Sequence, residues 1–188
     1  MKPTDFNAEH LLQTFFNLNA ITKALPGELD WNYFVQSADG KKYILKIANA
    51  EEQRINLELQ NQAMMHLNKS NLGLEISKVV TATNGHEIVE IEIDGAKRMA
   101  RLLTWIDGRV LATVNPHSPV LLYRLGEMCA KLCRALSDFD HPAAHRWMKW
   151  DPSQAEWIKS KIDLFAGLQK DTLIYFSDLF EKKALPIL

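Results

Sequence analysis

The chain has 188 residues, enough for one full domain or two small lobes, and its 47% hydrophobic and 24% charged residues make an ordinary globular mixture. Lysine and arginine number 22 against 23 acidic residues, so a net charge of −1 gives no electrostatic reason to expect nucleic acid or an anionic membrane as partner. No apolar run approaches the roughly 20 residues of a membrane span, and "MKPTDFNAEH" lacks the apolar core of a secretory signal, so a cytoplasmic location is expected.

Leu11, Leu12, Phe15 and Phe16 recur at helical spacing after Thr4 or Asp5 as a cap, which predicts a short first helix. Three strands follow at residues 18–25, 32–37 and 42–48, broken by "PGELDWN" and by "ADGKK", whose Asp39-Gly40 pair is a hairpin signal. A helix is expected from Glu51 or Glu52 to Leu67, with Gln60, Ala63, Met64 and Leu67 on one face. "HEIVEIEI" then alternates, "DGAKR" is a second Asp-Gly turn, and "MARLLTWI" reads as a buried strand. Residues 17–106 are thus expected to form a five-stranded antiparallel sheet with one crossing helix.

Beyond residue 106 the pattern turns helical. Ser118 caps a helix with Pro119 in its first turn, and Leu121, Leu125, Met128, Leu132 and Leu136 give it a broad apolar face. Further helices are predicted from Pro152 to Leu168 and from Asp171 onward. The predicted class is α+β: a mixed lobe over residues 1–106, a linker over 107–117 and an all-helical segment over 118–188. Cys129 and Cys133 lie four apart without matching ligands and read as small core hydrophobes, while Pro142 separates His141 from His145. No metal ligand is assigned.

Lys46 stands in "YILKIAN" between Leu45 and Ile47, where an ammonium is costly to bury. On an edge strand its aliphatic stem could carry the charge to water; facing a pocket, the charge could hold phosphates. One lysine in a strand decides nothing, but the order of elements around it does. Strand, turn, strand, lysine-bearing strand, helix, two strands, linker and helices is the order of a protein-kinase-like N-lobe. There a loop between the first two strands covers nucleotide phosphates, and the third-strand lysine pairs with the α- and β-phosphates.

"LPGELDWNYFV", "YILKIAN", "LELQNQAMMHL", "RLLTWIDGR" and "FDHPAAHRWMKWD", in that order, resemble the aminoglycoside phosphotransferase/choline kinase superfamily over residues 6–160. Within it the chain is similar to the hydroxylysine-kinase-like branch, whose neighbourhood includes type II homoserine kinases. The resemblance implies an ATP-dependent kinase of a small alcohol or amino-alcohol, with ATP and Mg²⁺ as cofactors. It makes Lys46 the phosphate lysine and Pro26 to Asn32 the nucleotide loop, with Gly27 and Asn32 among its contacts, although no GxGxxG occurs there. Leu103, Thr104, Trp105 and Ile106 match the adenine-binding linker, followed by Gly108. The helical position that the family fills with glutamate falls on Gln60; Glu58, about 160° away around the helix, would partner Lys46 only in a shifted register.

Phosphoryl transfer in this superfamily also needs an aspartate base in an HxDxxxxN-type loop and a later metal-binding aspartate. "DFDHP" has the letters in another order, and "KWDPSQAEW" has no His before Asp151 and no Asn after it. The resemblance therefore implies an N-lobe with the first C-lobe helices, truncated before the catalytic loop, inactive alone and at most nucleotide-binding. The alternative is a non-catalytic interaction module. "WMKW", "DLFAGL", "LIYFSDLF" and "LPIL" leave apolar faces that predict a homo-oligomer through the C-terminal helices.

Overall fold

The computed structural model describes residues 6–148 and 150–187, which form two compact units meeting in sequence at Ala143 and Ala144. In the first unit, helix α1 (Ala8–Phe16) opens the fold, capped by Asn7, whose Oδ1 accepts a hydrogen bond from the His10 amide at 2.9 Å. The expected caps, Thr4 and Asp5, lie outside the described residues. Strands β1 (Ala20–Leu25), β2 (Trp31–Ser37) and β3 (Lys42–Ile47) form an antiparallel meander. Gly40, at φ 82°, makes the β2–β3 turn in a conformation that side-chain-bearing residues avoid.

Helix α2 (Arg54–Lys69) crosses to β4 (Val79–Val80), and β5 (Val89–Ile93) and β6 (Ala96–Thr104) make a second hairpin. The sheet order is β1-β2-β3-β6-β4, with β5 also on β6. All five expected strands are present, and a sixth joins them. Val79 and Val80 pair with Leu103 and Leu102, along the stretch of β6 edge that β5 does not cover. Two residues are too few to show a period of two in a sequence.

Alternation along the strands divides the sheet into two unlike faces. Trp31, Tyr33 and Val35 of β2, Leu45 and Ile47 of β3, and Ala100 and Leu102 of β6 are buried against Leu11 and Leu12 of α1. That is the core. The residues between them, Asn32, Phe34, Ile44, Lys46, Arg101 and Leu103, turn to the opposite face. Helix α2 packs on the end of that face, with Leu57 buried among Ala48, Ile88 and Met99.

Ser118 Oγ accepts from the Leu121 amide at 3.2 Å and starts α3 (Pro119–Ala135) with Pro119 in its first turn, as expected. Helix α3 nevertheless buries none of its residues. Cys129 and Cys133 are exposed and are not core hydrophobes, because the apolar face of α3 is only partly covered: Leu122 is 51% and Met128 37% exposed. His66 of α2 reaches the far end of this helix, its Nε2 lying 2.9 Å from the Ala135 carbonyl and 3.1 Å from Asp138 Oδ1.

In the second unit, Pro152–Leu164 winds as a 3₁₀ helix and not as the regular helix to Leu168 that the sequence predicts. Its first turn is irregular at Gln154, whose amide bonds both the Asp151 carboxylate and the Met148 backbone N–H, a side-chain competition that disturbs helix starts. Helix α4 (Gly167–Leu179) begins four residues before the expected Asp171, and a π turn at Phe180–Ala184 follows. Lys159 pairs with Glu181, and Lys170 with Asp163 at 2.8 Å. Among the described residues no helix is long and apolar enough to cross a membrane.

Candidate nucleotide-binding face

Antiparallel register sets Asn32 opposite Lys46 and Lys46 opposite Arg101. Three polar side chains therefore line up across β2, β3 and β6, on the face away from the core. Lys46 Nζ donates to Asn32 Oδ1 at 2.8 Å and lies 4.0 Å from Asp30 Oδ2. Burial pushes the Lys46 ammonium below its ordinary pKa, the nearby Arg101 charge adds to that push, and the Asp30 carboxylate opposes it. The lysine is thus neither a fully solvated edge residue nor a neutralised core one. It is a half-buried cation held by two loop-proximal oxygens.

The segment from Pro26 to Asn32 folds tightly enough to bring those oxygens in. A Cβ on Gly27 would lie 2.2 Å from the Asp30 carbonyl and 2.7 Å from Asn32 Nδ2, so only glycine fits. Asn32 Nδ2 donates to the Pro26 carbonyl at 3.4 Å, and Asp30 Oδ1 accepts from the Asn49 amide at 3.2 Å. Asp30 is the partner that the sequence left unnamed. Its place in the loop matched the family pattern, but only the fold brings it back to β3.

The helical candidates have other partners. Gln60 Oε1 accepts from Arg101 Nη2 at 2.6 Å, and Glu58 lies 4.0 Å from Arg54 on the exposed side of α2. Arg101 Nη1 donates to Asn61 Oδ1 at 2.7 Å and to the Leu57 carbonyl at 3.2 Å. Arg101 is 2% and Asn61 1% exposed. The Gln60–Lys46 contact expected from helical phase is therefore replaced by a Gln60–Arg101 contact, because Arg101 stands one strand nearer α2 and its fork spans several acceptors. A signal existed: Arg101 is the one charged residue inside the apolar run "ARLLTWI", the same anomaly that singled out Lys46.

Beside the cationic row the same face turns apolar. Phe34, Ile44 and Leu103 are register neighbours, and Trp105 meets Phe34 edge-on with ring centroids 4.9 Å apart. Thr104 Oγ1 accepts from the Lys78 amide at 2.8 Å, the Trp105 amide donates to the Lys42 carbonyl at 3.1 Å, and Ile106 is 40% exposed. An apolar strip ending in a cation suits a flat heterocycle carrying phosphates. The face does not suit a divalent metal, since the one carboxylate beside Lys46, Asp30, is engaged, and among the described residues no three His, Cys, Asp or Glu side chains cluster to hold one. A groove of about 540 Å³ lies elsewhere, between α1 and β5, lined by Phe6, His10, Phe15, Ile91 and Glu92. It contains none of the groups of the Lys46 row.

A family model described as the APH phosphotransferase enzyme family matches residues 21–182. Hydroxylysine kinase of Mus musculus is 32% identical over 153 residues, covering 74% of this chain and 40% of that protein. The amicoumacin kinase structure in complex with AMP-PNP and Ca²⁺ superposes with a TM-score of 0.66 at 15% identity, covering 97% of this chain and 55% of that one. A microcompartment-associated aminopropanol kinase gives 0.62 at 17% identity, with 81% and 47% covered. At those identities the two structures establish the fold, which is protein-kinase-like. The chain spans about 40% of the length of the hydroxylysine kinase it matches.

Proposed function

Because the chain belongs to the APH phosphotransferase enzyme family, we propose that its sheet is the nucleotide-binding lobe of an ATP-dependent kinase acting on a small alcohol or amino-alcohol. The observation that carries this reading is the half-buried Lys46, held by Asn32 and Asp30 at the end of an apolar strip. Lys46 leaves those two oxygens and pairs with the α- and β-phosphates of ATP. Gly27 and Asn32 form the covering loop. Leu103, Thr104, Trp105 and Ile106 present the adenine edge, with backbone groups after Thr104 bonding the base. Residues 1–106 act as the N-lobe, 107–117 as the hinge and 118–188 as the start of the helical lobe.

Mg²⁺ accompanies ATP in such chemistry, neutralising charge on the transferring phosphoryl group. The Lys46 face offers no set of ligands for it among the described residues. The sequence also has no HxDxxxxN-type loop. Taken alone, the chain is therefore a nucleotide binder without a base to accept the alcohol's proton. Titrating ATP while following amide signals tests the reading: a response lost in Lys46→Met supports it, and equal responses from both proteins refute it.

A second reading, a non-catalytic interaction module, is favoured by the bare apolar side chains. No residue of helix α3 is fully buried, and in the second unit Leu168 is 82% and Phe176 59% exposed. Such surfaces suit pairing with a second copy of the chain. The two readings are compatible at the level of binding, and ATP response against oligomeric state separates them.

A further inference from the structure

We infer that Arg101 is the positioning residue of this face: it fastens α2 to β6 through Gln60, Asn61 and the Leu57 carbonyl, and so leaves Lys46 to be held from the loop side. The inference deepens, and rests on, the reading of Lys46 as a phosphate-binding lysine. Three observations carry it. Arg101 and Lys46 are direct cross-strand neighbours on one face, so either could have taken the helix. Arg101 is almost fully buried, and its two terminal nitrogens meet three acceptors that all belong to one helix. Gln60 Oε1 accepts from Arg101 at 2.6 Å, while the Lys46 ammonium donates to Asn32 Oδ1 at 2.8 Å, on the side of β3 away from β6.

The tether continues past the helix. Asn61, while accepting from Arg101, donates through Nδ2 to Glu87 Oε2 at 3.1 Å, on the segment leading into β5. Helix α2 is thereby fixed to two neighbouring parts of the sheet by bonds that do not include Lys46. A guanidinium suits this role and an ammonium does not, because a planar fork serves separated acceptors at once. The consequence is a division of labour. Where a glutamate on the helix would tie the lysine to the helix position, here Lys46 exchanges Asn32 and Asp30 for phosphate oxygens while α2 stays docked.

A double-mutant cycle on the thermal midpoint of the whole chain tests this. Gln60→Ala is expected to lower the midpoint by about 2–4 °C, by less than half of that in an Arg101→Met background, and by its full amount in a Lys46→Met background. Coupling of Gln60 to Lys46 in place of Arg101 overturns the inference. Should Arg101→Met fail to fold, the Lys46 side-chain NMR signal decides. It is expected to stay in place in Gln60→Ala and to move in Asn32→Ala and in Asp30→Asn. Arg101→Lys, which keeps the charge and loses the fork, is expected to move that signal by freeing Gln60. Melting changes with no movement of the Lys46 signal in Arg101→Lys reduce Arg101 to a packing residue and overturn the positioning role. None of these measurements uses nucleotide, so a missing ATP response refutes the reading of Lys46 without altering the cycle.

Discussion

Lys46 and Arg101 face each other across β3 and β6 and bond in opposite directions, Lys46 to Asn32 on β2 and Arg101 to Gln60 on α2. Two like charges on adjacent strands are unfavourable unless each is drawn to its own partner. Asp30 and Glu52 both act on the Arg101 guanidinium, against the burial that disfavours its charge, and Asp30 also steadies Lys46. The loop carboxylate is therefore shared electrostatically by both cations.

Lys46→Met follows from that balance. Burial lowers the folded-state pKa of Lys46 below its ordinary value of 10.5. The folded chain thus releases this proton before the unfolded chain does, and stability from this group rises as pH climbs from the folded pKa toward 10.5. Below that window the charged lysine is a cost. Replacing it with methionine is expected to raise the melting midpoint at pH 7 by about 1–4 °C while removing any ATP response. Calorimetry at pH 7 and at pH 10 checks the sign, since the advantage of methionine should shrink at the higher pH.

The β2–β3 turn makes the opposite pH argument. Ser37 Oγ donates to Asp39, Lys41 Nζ lies 2.7 Å from Asp39 Oδ2, and these bonds bring the Asp39 pKa down to about 2 from 3.8. A depressed carboxylate contributes stability above its unfolded pKa and loses it as pH falls through the folded one. The contribution is expected to be complete at neutral pH and to disappear between pH 3.8 and about 2. An NMR titration of the Asp39 carboxyl carbon checks it: a midpoint near 3.8 would show that solvent screens the turn.

Most of the sheet is legible in the sequence because its signals are local. Asp39-Gly40 and Asp94-Gly95 mark both hairpins, and the alternation of Trp31, Tyr33 and Val35 assigns the buried face. Lys46 is legible for the same reason, as a charge in an apolar strand. Its surroundings are not, since Asp30, which pairs with it, and Arg101, the like charge beside it, are separated from it by 16 and 55 positions and meet it only through loop closure and strand register. Helical phase correctly turns Gln60 toward the sheet, yet phase cannot say which of two adjacent cations it meets. The 3₁₀ winding after Pro152 escapes for another reason: Trp157, Ile158 and Ile162 fit the regular period, while the side-chain bonds of Gln154 that disturb the first turn are not a periodic signal.

Leu12→Ala tests where the core lies. Leu12 is fully buried between α1 and the back of the sheet, beside Val35 and Leu45. Truncation there is expected to cost about 2–5 kcal/mol, and Ile44→Ala on the half-open Lys46 face distinctly less. Denaturant titration of the two variants measures the difference. Equal losses would mean that the Lys46 face is packed as tightly as the core, leaving no room for a nucleotide.

Assembly is the last expectation. In the second unit Leu164, Leu168, Tyr175 and Phe176 are 78%, 82%, 62% and 59% exposed, on a segment of only 45 residues. Burying one such side chain fully is worth about 1.5–3 kcal/mol, so a few pairs across a two-fold axis offset the cost of association. Light scattering at micromolar concentration should report at least a dimer. Leu168→Glu combined with Phe176→Glu places two charges on that surface and should return the protein to a monomer without lowering the melting midpoint of the first unit, whose core is made by α1 and the sheet. A wild-type monomer at the same concentration would remove self-association as the role of these side chains.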